Sequence, residues 1–343
     1  MELIKVGDKV IGGDKTYIIA DIGSNHMQDL TIAKESILAA VESGVDAVKF
    51  QSIQLDKLYL NPSKKTTDFI KKLEFPEFWH NELNVFCKKL NVTFFSSPTY
   101  LDAIRLLEEI KVPIYKIASA QIGVFPQLVE KVASLKKPTL FSIGLVNNDE
   151  LDKVINIFYK NDNRKFVILH CNSIYPTPPN KVNLSMIRYY NQKYPNHFIG
   201  FSDHTVGINM AIAATSIGAK VIEKHFTLNR NFSSPDSNDF ACEPDEMKKL
   251  CNGIREIDVA IKGKVSRDVI ENEEQQFKSS ISTNLILNSK VKEGDLIKKN
   301  DFIFLRAVRG VNCIELNNLI KSKAKYSNDI SIKRPLNESD IFF

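Results

Sequence analysis

Paired cysteines, long apolar runs and a dominant charge are all missing from this chain of 343 residues. Its five cysteines (Cys87, Cys171, Cys242, Cys251 and Cys313) are odd in number and widely spaced, with no C-x-x-C pair. That usage excludes a disulfide framework and suits a reducing compartment. No stretch approaches the ~18–20 apolar residues of a membrane span. Met1-Glu-Leu-Ile-Lys-Val-Gly-Asp lacks the apolar core of a signal peptide, so a cytoplasmic protein with no membrane partner is expected. The net charge of +5 is slight and evenly spread, which argues against a nucleic-acid partner and leaves room for a local pocket for small anions. There is no G-x-S-x-G elbow, and neighbouring residues of a strand point to opposite faces, so Ser202-Asp203-His204 does not read as a hydrolase triad.

What is present is ordinary globular composition, 43% hydrophobic and 25% charged, enough for one large domain and a small one. Eight short β-like runs recur: Tyr17–Ile22, Ala47–Gln51, Val92–Ser96, Tyr115–Ser119, Thr139–Ile143, Phe166–His170, Phe198–Ser202 and Val221–His225. Segments with helical periodicity separate most of them, such as the one beginning Leu30-Thr-Ile-Ala-Lys-Glu. Near-continuous apolar strands joined by helices predict a parallel sheet, and eight units over about 250 residues predict a (β/α)8 TIM barrel. The barrel is expected over 1–265. A polar linker follows over 266–281, partly helical, and a small strand-rich domain over 282–343, ending in a strand near Ile330-Ser-Ile-Lys-Arg-Pro-Leu.

Active sites of such barrels lie at the C-terminal ends of the strands. Those ends carry Asp21, Asn25 and His26; Lys49 and Gln51; Ser96 and Ser97; Lys116, Ser119 and Gln121; Ser142 and Gly144; His170 and Tyr175; Ser202, Asp203 and His204; and Glu223, Lys224 and His225. Lys49 and Lys116 interrupt apolar strands and each needs an anion. An internal carboxylate such as Asp21 is one candidate. A phosphate-and-carboxylate ligand cradled by both lysines with Ser119, Ser142 and Ser202 is the favoured one. His204 and His225 close neighbouring strands and can reach one ion, either as ligands or as hydrogen-bonded structural histidines; two imidazoles need further oxygen ligands to hold Mn²⁺, Fe²⁺, Co²⁺ or Zn²⁺. Glu223 either orients a ligand or neutralises a lysine.

The runs Tyr17-Ile-Ile-Ala-Asp-Ile-Gly-Ser-Asn-His, Ala47-Val-Lys-Phe-Gln-Ser, Phe95-Ser-Ser-Pro, Tyr115-Lys-Ile-Ala-Ser, His170-Cys-Asn-Ser-Ile-Tyr-Pro-Thr-Pro, Gly200-Phe-Ser-Asp-His-Thr, Ile222-Glu-Lys-His-Phe-Thr and Pro235-Asp236 resemble the sialic acid synthases. That family includes pseudaminate and legionaminate synthases and spore-coat relatives, and the likeness covers nearly the whole chain. It implies an antifreeze-like (SAF) C-terminal domain, recognisable at Val291-Lys-Glu-Gly-Asp-Leu-Ile, and a domain-swapped homodimer. The implied reaction condenses phosphoenolpyruvate with an N-acetylated hexosamine aldehyde, giving a nine-carbon 2-keto-3-deoxy acid and phosphate, with Mn²⁺ as the usual ion. By position, Lys49, Ser97, Lys116, Ser119, Ser142 and Ser202 would bind substrate and His204 and His225 the metal. Asp21, Gln121, Asp236 and Tyr175 would be catalytic, with Gln51, Tyr175 and Asp236 facing the sugar. Arg306 would reach the partner's sugar site.

Three departures stand out. The loop Leu305-Arg-Ala-Val-Arg-Gly keeps only the arginine and Gly310 of the family's Arg-Pro-Gly-x-Gly, so Arg309 is a second candidate for that reach. Asp21 stands where the family has glutamate, and Gln121 where it has an acid. The implied alternatives are a non-catalytic paralogue that binds the same ligands, and a related 3-deoxy-2-keto sugar-acid synthase using a phosphorylated aldose.

Overall fold

A computed structural model describes residues 1–263, 266–331 and 333–343. Its main sheet has eight parallel strands: β1 (Tyr17–Gly23), β2 (Ala47–Ser52), β3 (Thr93–Pro98), β4 (Tyr115–Ile117), β5 (Thr139–Ser142), β6 (Phe166–Cys171), β7 (Phe198–Asp203) and β8 (Val221–His225). They follow the order β3-β2-β1-β8-β7-β6-β5-β4. The two ends of that order, β3 and β4, also pack side by side, and Ser97 Oγ donates to the Lys116 carbonyl oxygen at 3.3 Å across the seam. The expected barrel is thus the observed fold.

Alternation along each strand sorts its side chains. Tyr17, Ile19, Ala47, Phe95, Ile114, Leu140, Val167, Leu169, Phe198 and Val221 meet in one buried cluster inside the barrel. Their outward neighbours, among them Ile18, Val48, Phe94, Tyr115, Phe141, Ile168, Ile199 and Ile222, join the larger cluster under the helices. Both faces are covered, which is why these strands read as unbroken apolar runs. Gly200 lies on the inward row of β7, where a Cβ would come within 2.4 Å of Leu169 and 2.7 Å of the Val221 carbonyl oxygen. A short hairpin, Ile4–Val6 with Lys9–Ile11, adds Ile4, Val6 and Ile11 to the inner cluster.

The helices start where capping chemistry predicts. α1 (Leu30–Glu42) is capped by Asp29, whose carboxylate accepts from Thr31 N at 2.6 Å. α2 (Asn148–Lys160) and α3 (Pro244–Ala260) open on capping boxes, Asn147 with Glu150 and Glu243 with Glu246. No helix among the described residues is long and apolar enough to cross a membrane.

The chain divides into two compact units, the first being Met1–Gly263. Lys264 and Val265, the last residues of the expected barrel domain, lie outside the described residues. Helix α4 (Asn272–Ser280) occupies most of the expected linker. The second unit has its own core, including Leu285, Leu287, Phe302, Leu316, Tyr326 and Leu336. It pairs β9 (Thr283–Leu287) with β10 (Phe302–Arg306), and β11 (Lys325–Tyr326) with β12 (Ile341–Phe342), all antiparallel. Among the described residues the strand expected at 330–336 forms isolated bridges, Ile330 to Val291 and Pro335 to Ile286, and Pro335 offers no N–H on its other edge for a further strand. Ile332, within that expected strand, lies outside the described residues.

Candidate active site

The inward rows that fill the barrel with apolar side chains turn polar at the C-terminal ends of the strands. Continuing each row places Asp21 and Gly23, Lys49 and Gln51, Ser97, Lys116, Ser142, Cys171, Ser202, Glu223 and His225 at the barrel mouth. The register sets their neighbours: Asp21 lies level with His225 on one side and Lys49 on the other, and Glu223 lies level with Ser202.

Four buried charges interlock there. Lys49 Nζ is 2.7 Å from Asp21 Oδ2 and 3.4 Å from Glu223 Oε2. Lys116 reaches from the opposite wall to donate to Glu223 Oε1 at 2.8 Å, and Ser202 Oγ donates to the same oxygen at 2.8 Å. The internal pairing weighed for the lysines is therefore made, and it extends to Glu223. Burial works against the Lys49 ammonium, but Asp21 and Glu223 outweigh it and lift its pKa above the usual lysine value. Lys116, with one carboxylate and the positive Lys49 nearby, is pushed down by burial. Burial alone would raise the Glu223 carboxyl, yet the two lysines hold it well below the normal range.

His204 and His225 face each other with ring centroids 5.3 Å apart. His204 Nδ1 donates to the Asn172 carbonyl oxygen at 2.8 Å, which leaves Nε2 with a free lone pair. Burial and the neighbouring His225 lower its pKa to about 3, so the ring is neutral, the form that binds metals. His225 Nε2 is 3.5 Å from Asp21 Oδ2, and its Nδ1 is buried without a partner. Two imidazoles with unspent nitrogens suit one borderline divalent ion. Among the described residues no three histidine, cysteine, aspartate or glutamate side chains are placed to hold a metal ion together, so the rest of a coordination shell would come from water or ligand oxygens. Tyr175 packs at a tilt against His204, ring centroids 4.2 Å apart, and Phe240 packs edge-on to His225 at 5.0 Å.

Other candidates divide. Ser142 Oγ and Gln121 Oε1 are buried without a partner. Ser119 Oγ accepts from Gly144 N at 3.0 Å. Asp236 comes from the loop after β8 and accepts from Ser24 N and Oγ. Ser97 and Ser202 donate their hydroxyl hydrogens to the Lys116 carbonyl oxygen and to Glu223. Several tip residues, Ser96 among them with its Oγ 2.8 Å from Ser52 Oγ, face the helix layer or the loops instead of the mouth. His170 Nε2 donates to the Val182 carbonyl oxygen at 2.7 Å, Lys224 pairs with Asp203 at 3.0 Å, and His26 packs against Phe75 and Trp79. Arg306 ends β10, exposed, in the second unit.

The sequence profile described as the NeuB family matches residues 36–266. The chain belongs to the NeuB family. It is 35% identical over 315 residues to the N,N'-diacetyllegionaminic acid synthase of Campylobacter jejuni, covering 88% of this chain and 93% of that one. The human N-acetylneuraminate-9-phosphate synthase is 31% identical, over 87% of this chain and 85% of its own length. The crystal structure of the N-acetylneuraminic acid synthetase from Leptospira borgpetersenii superposes with a TM-score of 0.75 at 32% identity, covering 82% of this chain and 97% of that one. The relatives of this NeuB-family chain are thus nonulosonic acid synthases, which supports a carbohydrate-building synthase.

Glu223, weighed from sequence as orienting a ligand or neutralising a lysine, pairs with both Lys49 and Lys116. Two other residues at the mouth escaped assignment from sequence. Ser173, whose Oγ is buried without a partner, gave no signal beyond its place after β6. Phe240 gave none, because it sits in an irregular loop.

Proposed function

We propose that this protein condenses phosphoenolpyruvate with an N-acetylated hexosamine aldehyde to give a nine-carbon 2-keto-3-deoxy acid and phosphate. The observation that carries this reading is the pair of buried lysines, Lys49 and Lys116, gathered on Glu223 at the barrel mouth beside two facing imidazoles. C3 of the enol forms a bond to the aldehyde carbon, a water adds at C2, and the C2–O bond to phosphate breaks. Phosphoenolpyruvate, aldose and water thereby become keto acid and inorganic phosphate.

Each ammonium has three donors, and neither lysine spends all of them on carboxylates, so both retain N–H groups for phosphate and carboxylate oxygens. Ser142, with its hydroxyl unspent, adds another donor. A divalent cation on His204 and His225, Mn²⁺ in this reading, would supply Lewis acidity at the aldehyde oxygen, and also the positive charge that two ammonium and two carboxylate groups lack toward a trianion. Gln51, Tyr175 and Asp236 hold the sugar. In a homodimer Arg306 or Arg309 of one copy would complete the acceptor site of the other.

The test is incubation with Mn²⁺, phosphoenolpyruvate and a panel of 2-acetamido and 2,4-diacetamido hexoses, with keto-deoxy acids read by mass and phosphate release measured. Turnover of a phosphorylated aldose in preference to every acetamido sugar would move the protein to the related synthase class. A second reading, a binder without turnover, rests on Gln121, an amide where the family carries an acid. Phosphoenolpyruvate binding with no product from any sugar would favour it.

A further inference from the structure

The inward row of β1 ends at Gly23, and that residue has no side chain for a specific reason. Its φ of +54° is left-handed, and a Cβ there would lie 2.7 Å from Asp236 Oδ2 and 3.3 Å from Gln51 Nε2. Two polar side chains from separate elements, β2 and the loop after β8, therefore converge on the space a side chain at 23 would fill. The next residue holds one of them there. Ser24 N donates to Asp236 Oδ2 at 3.0 Å, and Ser24 Oγ donates to the same oxygen at 2.6 Å. Asn25 Nδ2 then ties down the backbone, donating to the carbonyl oxygens of Asp236 at 3.1 Å and Phe226 at 2.9 Å. Ser24 and Asn25 are both buried.

We propose that Ser24 is a positioning residue for the acceptor sugar: the Gly23-Ser24 turn clasps Oδ2 of Asp236 and leaves Oδ1 to take a sugar hydroxyl or amide N–H. This rests on the reading that Asp236 and Gln51 face the acceptor. A carboxylate with one oxygen saturated by two donors is fixed in orientation, so its second oxygen is a preset acceptor and not a rotating one. The phosphoenolpyruvate side of the mouth, built on Lys49, Lys116 and Ser142, makes no contact with this clasp through the hydrogen bonds described.

Ser24→Ala and Ser24→Thr test it, with Gly23→Ala as a harsher probe of the same space. Kinetics with Mn²⁺ should show the acceptor KM of Ser24→Ala raised about tenfold, the scale of a hydrogen bond to a charged group. The phosphoenolpyruvate KM should stay within twofold, and Ser24→Thr, which keeps the hydroxyl, should restore the acceptor KM. Ligand-observed NMR titration with the best acetamido hexose should show the same loss and rescue without turnover. An unchanged acceptor KM and affinity in Ser24→Ala, or equal losses for both substrates, overturns the proposal. If the unmodified protein binds an acetamido hexose but yields no product, the synthase reading fails while the titration still decides the clasp. If it binds none, both fall.

Discussion

The two ends of the barrel use the same residue types to opposite effect. At the floor, Asp46 Oδ2 accepts from Ile18 N at 2.9 Å and Arg255 Nη2 at 2.7 Å, and its Oδ1 lies 3.2 Å from Lys9 Nζ. Asp258, on α3, accepts from Thr16 N at 3.0 Å and Thr16 Oγ1 at 2.7 Å, with Arg255 Nη1 at 3.2 Å. These carboxylates are consumed by backbone and arginine, and they fasten the last helix of the barrel to the start of β1. At the mouth, Asp21 Oδ1, Gln121 Oε1, Ser142 Oγ and His225 Nδ1 are buried with nothing to bond among the described residues. Buried polar atoms are normally paired; Tyr17 Oη and His197 Nδ1 are unpartnered at the floor as well, so what separates the two ends is that the floor carboxylates are fully engaged as fastening while unspent groups converge around the ion-paired cluster at the mouth.

The largest effect should come from a pair that is fully paired yet shares a strand with the mouth. Lys224 and Asp203 are completely buried on the outer face of β7 and β8, with Lys224 Nζ also donating to the Thr205 carbonyl oxygen at 2.5 Å. Lys224→Met strands the Asp203 charge and should cost about 3–5 kcal/mol in urea unfolding. A loss under about 1 kcal/mol would show that full pairing does not mark a structural role here. On the inner face, from the opposite wall of the barrel, Lys116→Met should lower kcat about 10²–10³-fold, the scale of removing one preorganised donor. Its stability loss should be smaller than that of Lys224→Met, because Glu223 retains Lys49 and Ser202. Stability falling as steeply as activity would make Lys116 another fastener. At the floor, Asp258→Asn should cost about 1–3 kcal/mol by weakening its bonds to Thr16 and Arg255, with unchanged specific activity of the folded fraction.

This contrast also explains what could be read from sequence. The eight strands were legible because both faces of each are buried, leaving apolar runs bounded by polar tips. The tips showed which positions to inspect, and parity along each strand separates Glu223 and His225 from Lys224, or Ser202 from Asp203. Spatial closure was not legible: that Lys116 crosses the barrel to Glu223, that Ser24 clasps Asp236 across 212 residues of sequence, or that Phe240 walls His225 depends on loops whose course no periodicity encodes. The strand expected at 330–336 failed for a local reason that was visible, since a proline within a run demotes it to an edge.

The smallest effect is expected at Gln121, an amide among the charged groups of the mouth. Its Oε1 is buried and unpartnered, on the short helix Ser119–Ile122 that follows β4. Gln121→Glu would add an anion to a mouth whose two ammonium groups are already matched by two carboxylates. Electrostatics then oppose the change: a third carboxylate repels an anionic substrate and is costly to ionise where it is buried. The expected outcome is a raised phosphoenolpyruvate KM with kcat altered less than about tenfold, an effect below ~1.4 kcal/mol. A gain above a hundredfold would mean that the native amide had removed a proton-handling group, and that the unspent atoms at the mouth are the remains of chemistry instead of its instruments.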